Sequence, residues 1–314
     1  MSQALKRVLD VVARDSYFGE VVLSESCLQW LEELAEEYPL LPARDLVELA
    51  LLREHRDQAS VEWHSDDLSS FAQILRRADG KPFAFAGSHF RSLHMDAQSI
   101  QSAMWLDRPD RLALPYTAMM MGFLLFQPAP CEIMMVGLGG GSLAKYCHRR
   151  LPAANITVLE IDADVVALRT DFLVPPDDHR FRICCIDAIE FIRSSPFAVD
   201  VVLLDGFDAD GMVEGLNSET FFRDCAAMIN PGGVLVANLW GSAADNGLAL
   251  KQLQTIFSGI WWHTAIDSRN LIVFCVRGDV HLHSTRLLKS RASELDRDGE
   301  LRLVALAAHI QTMA

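Results

Sequence analysis

The sequence has few of the features that mark secreted, nucleic-acid-binding or membrane-spanning proteins. Its seven cysteines form no Cys-x-x-Cys pair and are odd in number, which disfavours a disulfide framework and favours free thiols in a reducing cytoplasm. Four lie in apolar runs and are expected to be buried: Cys131, Cys184, Cys185 and Cys275. Basic residues are scarce too: the chain has 28 basic and 42 acidic residues, which gives a net charge of −14. Such a chain repels phosphate backbones, so we expect no nucleic-acid partner, whereas a cationic substrate would be attracted.

Long apolar runs are missing as well. Charges from Lys6 onward leave no apolar core for a signal peptide. The uncharged stretch 112–131 contains three prolines, which leave about 11 residues for a helix, too few to span a bilayer. We therefore expect a buried helix and no membrane contact. His281 and His283 lie close together, but no cysteine or carboxylate cluster completes a ligand set, so we expect surface histidines and no metal.

The pattern of apolar residues predicts four segments. Residues 1–80 read as a helical N-terminal extension, because apolar residues recur at helical spacing among the glutamates of 28–37. We expect it to serve packing or dimerisation. Residues 81–126 read as a small β-rich segment with a lead-in helix, 127–280 as a nucleoside-binding catalytic domain, and 281–314 as a C-terminal helical tail.

From residue 131 onward, apolar strands alternate with helices. The predicted strands are 132–137, 155–161, 181–186, 199–205 and 233–239, followed by an antiparallel pair at 261–266 and 271–276. The predicted helices are 141–150, 163–173, 188–194 and 218–229. This alternation predicts an α/β fold: a mostly parallel, Rossmann-like sheet of the AdoMet-methyltransferase type with helices on both faces.

A glycine turn follows the first of these strands. Gly137, Gly139 and Gly141 have no Cβ, so the backbone can turn sharply and approach a ligand closely. Glu160 ends the next strand, where a carboxylate can accept hydrogen bonds from both ribose hydroxyls. The combination predicts a site for an adenosine-containing molecule.

Two features favour an AdoMet-type nucleoside over NAD. The glycines are spaced G-x-G-x-G, and Ser142 stands where the NAD pattern has its third glycine. Asp187 follows the third strand, where its carboxylate can accept from the adenine amino group. Asp187 equally suits the N-cap of the next helix, a role that does not exclude contact with adenine.

Over about residues 82–278 the chain resembles the spermidine synthase-like (polyamine aminopropyltransferase) family, in particular its divergent bacterial branch. The matching elements are Leu93-His94-Met95-Asp96 with Gln101, which is similar to L-D-G-x-x-Q; Tyr116, in place of the tyrosine of Y-[QH]-E-M; Asp205-Gly206-Phe207-Asp208, which is similar to D-S-S-D; and Asn230-Pro231-Gly232-Gly233, which is similar to the P-G-G turn. The resemblance implies transfer of an aminopropyl group from decarboxylated AdoMet to a polyamine, release of methylthioadenosine, and a homodimer.

The resemblance also implies a set of site residues. The expected nucleoside-binding residues are Gln101, Gly137, Gly139, Gly140, Gly141, Glu160, Ile161, Asp187, Ala188 and Asp205. The expected catalytic residues are Tyr116, Asp205 and Asp208. In this family the first Asp of D-S-S-D is the base and the second helps to hold the amine.

The chemistry fits these residues on independent grounds. A primary amine must be neutral to attack a carbon next to a sulfonium, yet its free pKa is about 10.4, as for lysine. A carboxylate can take its proton and hold a second, cationic nitrogen. Asp205 and Asp208 follow a strand at the sheet edge where ligands bind in open α/β sheets. Alternatively, Asp208 and Asp210 merely shape a glycine-containing loop.

Three departures from the family keep other functions open. Gly140 replaces the Asp that grips the donor's amino group, which also removes a charge that would repel the carboxylate of ordinary AdoMet. Thr117 and Ala118 replace the Gln/His-Glu after the tyrosine. The T-Y-P-S-G element is absent, and Trp261-Trp262 and 267–270 occupy its region. An AdoMet-dependent small-molecule methyltransferase and a non-catalytic nucleoside-binding homologue therefore remain alternatives.

Overall fold

The computed structural model describes residues 81–313 except 88, 96–99, 209–210, 241–242, 266–269 and 279–282. Before residue 81 it describes ten helical positions: Leu5, Lys6, Leu9, Leu28, Gln29, Leu31, Glu32, Ala35, Ile74 and Ala78. The rest of the predicted N-terminal extension lies outside the described residues. The chain divides into two units, Met1–Leu106 and Asp107–Ala314.

The first unit contains a three-stranded antiparallel sheet of β1 (Phe83–Ala86), β2 (Phe90–His94) and β3 (Ser102–Trp105), with β2 in the middle. Gln101 directly precedes β3, and its backbone N–H donates to the Leu93 carbonyl at 2.9 Å. The predicted small β-rich segment is therefore present.

The second unit holds the main sheet. Its strands are β4 (Glu132–Val136), β5 (Asn155–Glu160), β6 (Phe181–Cys185), β7 (Val199–Leu204), β10 (Ile229–Trp240), β11 (Gly259–Thr264), β12 (Asn270–Val276) and β13 (Gln311–Met313), while β8 (Phe207–Asp208) and β9 (Gly211–Met212) form a separate two-stranded pair. Its helices are α1 (Pro115–Met120), α2 (Ser142–Arg150), α3 (Ala163–Ala167), α4 (Ala188–Ser194), α5 (Glu219–Met228), α6 (Ala243–Ile256), α7 (Thr285–Leu295) and α8 (Leu303–His309). Three 3-10 turns lie at Met121–Leu125, Leu168–Thr170 and Glu214–Asn217.

The main sheet has the order β13-β11-β12-β10-β7-β4-β5-β6. The five strands from β10 to β6 are parallel, and β12, β11 and β13 add antiparallel partners at one side. The chain leaves β4 toward β5 and β6 and then returns to the other side of β4 with β7. The strand order reverses between β4 and β7, which is where open α/β sheets bind ligands. The predicted fold class is confirmed.

The parallel strands are apolar along most of their length because they are buried on both faces. Residues 201–204 of β7 are at most 1% exposed. One face packs against α4, α5 and α6, whose Ile192, Phe222 and Leu253 join the strand residues in one buried cluster. The carboxyl ends of these packed strands carry the candidate site.

The C-terminal part of the chain differs from expectation in three places. The tail forms α7 and α8 as predicted, but it ends in β13, which pairs with β11 at the sheet edge. The predicted turn at 230–233 lies inside β10, where the register against β7 shifts between Ile229 and Val234. Helix α6 was not predicted, because Gly247 interrupts its pattern.

Some predictions of burial were wrong at strand ends. Cys275 is buried as expected, but Cys131 and Cys185 are exposed, because they lie where strands begin and end. His283 is not a surface residue: it is buried, with its ring 5.5 Å from that of Phe126. Within the described ranges, no helix is long and apolar enough to cross a membrane, and no group of three His, Cys, Asp or Glu side chains could hold a metal ion.

The glycine turn yields a stability prediction. Gly137 has φ +94°, and a Cβ there would lie 2.2 Å from the Asp205 carbonyl oxygen. Gly232 also has a positive φ, +84°, but its Cβ would meet nothing within 4 Å. Gly232→Ala should therefore cost only backbone strain, about 1 kcal/mol. Gly137→Ala should cost about 3 kcal/mol or more in urea unfolding, because a strand end must also move.

The matched pair isolates the close approach of the two strand ends. Equal losses of unfolding free energy in the two variants would show that the close contact between the ends of β4 and β7 adds nothing to the cost of the substitution at Gly137.

Candidate active site

The predicted site residues of the second unit lie along one edge of the sheet. In strand order from β10 to β6, the carboxyl ends carry Asn238, Asp205, Gly137, Glu160 and Asp187. Neighbouring strands lie about 4.8 Å apart, so three spacings, about 14 Å, separate the strand ends that carry Asp205 and Asp187. An extended nucleoside with a short side chain fits this span.

The glycine turn is tightly packed. Gly137, Gly139 and Gly141 have φ values of 94°, 51° and 66°, in the left-handed region that favours glycine. A Cβ on Gly141 would lie 2.4 Å from Cγ2 of Val174. Gly140, between Gly139 and Gly141 in the sequence, is buried and does not have a positive φ. The turn leads directly into α2.

A buried lysine holds the segment that packs on Gly141. Lys145 on α2 is 4% exposed, and its Nζ donates to the Phe172 carbonyl at 2.6 Å. Burial lowers the pKa of Lys145 to about 8. Leu173 follows with a positive φ of 55°, and Val174 then lies against Gly141. Sequence reasoning missed this support for the turn.

Glu160 is bonded to the glycine turn itself. Its Oε2 accepts from the Leu138 N–H at 2.8 Å, and its Oε1 accepts from the Asp162 N–H at 2.9 Å. A carboxylate oxygen can accept more than one hydrogen bond, so capacity remains for ribose hydroxyls. Glu160 thus also shapes the turn, a structural role that its sequence position did not reveal.

Asp187 caps α4, and apolar side chains lie beside it in the sequence. Its Oδ1 accepts from the Ile189 N–H at 2.7 Å, which confirms the N-cap interpretation, and Ala188 begins the helix. Ile186, which directly precedes Asp187, is 39% exposed, and Ile161, which directly follows Glu160, is 70% exposed. Exposed apolar groups next to two strand-end carboxylates suit the face of a purine ring.

Asp205 receives hydrogen bonds on both carboxylate oxygens. The Tyr116 hydroxyl donates to Oδ2 at 3.2 Å, and Nδ2 of Asn238 donates to Oδ1 at 2.8 Å. Burial raises the pKa of Asp205 above its usual value, although both hydrogen bonds act in the opposite direction. Burial, and then the charge of Asp205, raise the pKa of Tyr116 well above its usual value. Tyr116 therefore remains a hydrogen-bond donor at neutral pH.

Two asparagines of the site were missed by sequence reasoning. Asn238 is 1% exposed within the apolar strand β10, and its Oδ1 accepts from Nδ2 of Asn270 at 2.9 Å. A buried amide needs hydrogen-bond partners, so one asparagine inside the apolar run 234–239 was the available signal.

Other expected site residues are not brought to this edge by described contacts. Gln101 belongs to the first unit, and its contact with a nucleoside stays a prediction. The backbone of Asp208 lies in β8, but its side chain, like all of Asp210, is outside the described part of the chain. Trp261 is buried against Phe126, with ring centroids 4.9 Å apart, so it packs in the core.

The geometry at this edge of the sheet allows proton transfer from a nucleophile to a carboxylate. A carboxylate fixed by two donors can accept a proton from a nucleophile beside it. The backbone of Gly137 contacts the backbone of Asp205, so the glycine turn and the residue that carries this carboxylate are direct neighbours.

Sequence comparison identifies relatives of this chain. Residues 113–254 match the spermine/spermidine synthase domain. The polyamine aminopropyltransferase of Chromobacterium violaceum is 35% identical over 210 residues, which cover 66% of this chain and 80% of that protein. The polyamine aminopropyltransferase of Neisseria meningitidis serogroup A is 34% identical over 210 residues, with the same coverage.

Solved structures support the fold. A probable spermidine synthase from Corynebacterium glutamicum matches with a TM-score of 0.58 and 20% identity over 73% of this chain and 91% of that chain. Human methyltransferase-like protein 13 in complex with SAH matches with a TM-score of 0.55 and 21% identity over 60% of this chain and 92% of that chain. At these identities the likeness establishes the fold alone. The sequence relatives establish more: the chain is a transferase and belongs to the polyamine aminopropyltransferase family.

Proposed function

We propose that this protein transfers the aminopropyl group of decarboxylated AdoMet to a primary amine of a polyamine and releases methylthioadenosine. The observation that carries the proposal is Asp205, held by Tyr116 and Asn238 at the switch point of the sheet, next to the glycine turn. Membership of the aminopropyltransferase family supports the reaction class.

The donor would lie along the carboxyl edge of the sheet. In this proposal Glu160 accepts from the ribose hydroxyls, Asp187 accepts from the adenine amino group, and Ile161 with Ala188 contacts the ring. Gln101 is kept as a proposed nucleoside contact, as the family pattern implies. The backbone of the glycine turn, including Gly140, would face the part of the donor that carries the sulfonium and the aminopropyl group.

The reaction itself is a single displacement. The amine nitrogen attacks the methylene carbon next to the sulfonium, a C–N bond forms, and the C–S bond breaks. The sulfur leaves with the bonding electron pair as a neutral thioether, and the amine proton passes to Asp205. Burial raises the pKa of this carboxyl group, which makes it a better proton acceptor. Alignment of the two substrates supplies much of the remaining acceleration.

The charge of the chain suits a cationic acceptor. A net charge of −14 favours the approach of a polyamine. We assign the second nitrogen of the acceptor to Asp208, as the family pattern implies. We also propose a homodimer, with the N-terminal extension as the candidate module for assembly.

A second candidate rests on Gly140. Without an aspartate at this position, nothing in the turn repels the carboxylate of ordinary AdoMet. Methyl transfer to a small molecule is therefore the alternative reaction at the same nucleoside site.

The role of Asp205 predicts the result of a conservative substitution. Asp205→Asn should lower kcat for aminopropyl transfer by a factor of about 10² to 10⁴, because it removes the proton acceptor. Although Asp205 is also an expected nucleoside contact, affinity for the donor should fall far less than kcat, because the glycine turn and Glu160 are intact. Release of methylthioadenosine and calorimetric titration of the donor measure the two quantities.

The matched control is Asp200→Asn at the other end of β7. Asp200 accepts from Asn230 Nδ2 at 2.9 Å and from the backbone N–H groups of Cys131 and Glu132 at 2.7 and 3.1 Å. This variant should lose stability and keep its kcat. If Asp205→Asn turns over as fast as Asp200→Asn, Asp205 is not the base.

Donor choice gives a separate prediction. Gly140→Asp should raise the affinity for decarboxylated AdoMet relative to AdoMet by about tenfold, because the new carboxylate binds the amino group and repels a donor carboxylate. Gly247→Asp adds the same charge on α6 and should leave the preference unchanged. An unchanged preference in Gly140→Asp would mean that the aminopropyl group of the donor does not lie beside residue 140.

A further inference from the structure

Asp205 stands at the end of a hydrogen-bonded series that crosses two strands. Nδ2 of Asn270 donates to Oδ1 of Asn238 at 2.9 Å, and Nδ2 of Asn238 donates to Oδ1 of Asp205 at 2.8 Å. Asn270 is opposite Trp240 in the register of β10 and β12, and Asn238 is opposite Ile272. The two asparagines are therefore diagonal neighbours on one face of the sheet.

The direction of these hydrogen bonds depends on Asn270. The two ends of an asparagine amide have nearly the same shape, so Asn238 could turn its oxygen toward Asp205 instead of its NH₂ group. That orientation would set an oxygen against a carboxylate in a buried place. The donor from Asn270 occupies Oδ1 of Asn238 and so favours the orientation in which the NH₂ group faces Asp205.

We propose that Asn270 is a positioning residue that acts on Asp205 through Asn238, by fixing the orientation of the Asn238 amide. With Oδ1 held by Asn238 and Oδ2 held by Tyr116, the carboxylate is restrained against rotation, and its remaining lone pairs keep fixed directions. The inference rests on the proposed function only where it speaks of catalysis, because the effect on the Asp205 carboxyl group exists without turnover.

The groups that contact Asp205 determine which changes can shift the pKa of its carboxyl group. Tyr116 on α1 is the titratable side chain that contacts it among the described residues, Asn238 on β10 is neutral, and β4 contributes the backbone of Gly137. The side chain of Asp208 lies outside the described part. Loss of the Asn238 donor destabilises the ionised form of Asp205, so the pKa of this carboxyl group should rise.

The experiment compares three variants of the full chain. In Asn270→Leu, the amide of Asn238 loses its orienting donor without any change of charge. In Asn270→Asp, a nearly isosteric acceptor replaces the donor and turns the NH₂ group of Asn238 away from Asp205. Asn230→Leu is the matched control. Nδ2 of Asn230 on β10 donates to Asp200 on β7 at 2.9 Å, which is the same kind of contact as that between Asn238 and Asp205, at the opposite end of β10 and β7.

Two readouts are needed. The ¹³C carboxyl signal of Asp205, assigned by its loss in Asp205→Asn, is titrated in protein labelled at aspartate. We expect the pKa to rise in Asn270→Leu, to rise further in Asn270→Asp, and to stay at the wild-type value in Asn230→Leu. We also expect kcat for aminopropyl transfer to fall about tenfold in both Asn270 variants, with the KM for the donor within about twofold.

An unchanged Asp205 pKa in both folded Asn270 variants would overturn the inference, as would an equal rise in Asn230→Leu. If the pKa shifts as expected while the wild type transfers no aminopropyl group, the positioning role stands and the proposed function fails. Thermal unfolding shows which variants are folded, and if the leucine variant does not fold, the smaller Asn270→Ala removes the same donor without the added charge that by itself raises the Asp205 pKa in Asn270→Asp.

Discussion

The site depends on the close approach of two strand ends. β4 and β7 are neighbours at the point where the strand order reverses, and Gly137 lies so near the Asp205 carbonyl that a Cβ would be 2.2 Å from its oxygen. The glycine turn and the candidate base are thus held by the same backbone contact. In the proposed reaction, a donor bound to the turn would therefore lie next to the residue that carries the carboxylate.

The rest of the site supports this contact from both sides. Glu160 accepts a hydrogen bond from the Leu138 N–H, so the residue proposed for ribose also fixes the backbone of the proposed donor site. On the other side, Tyr116 and Asn238 hold the carboxylate of Asp205. Glu160, Asp205 and Asn238 lie at or near the carboxyl ends of buried strands and Tyr116 lies on α1, so packed elements of the domain determine their positions.

Sequence reasoning found the parts of the site that depend on local pattern. The alternation of strands and helices, the glycine spacing and the strand-end carboxylates Glu160, Asp187 and Asp205 can be read from short segments. The short segments do not show that Asn238 and Asn270 contact each other, because they are 32 positions apart in the sequence and meet only across the sheet; the single asparagine in the apolar run 234–239 marked only Asn238. The same limit explains β13, whose strand character comes from pairing with β11.

The central claim is that a carboxylate at the switch point accepts the proton of an amine while an aminopropyl group is transferred. The most direct measurement is product analysis by mass spectrometry after incubation of the wild-type protein with decarboxylated AdoMet, or with AdoMet, and a series of di- and polyamines. The account predicts methylthioadenosine and an aminopropylated amine in equal amounts from the decarboxylated donor. Methylated product from AdoMet, with no methylthioadenosine from the decarboxylated donor, would contradict it.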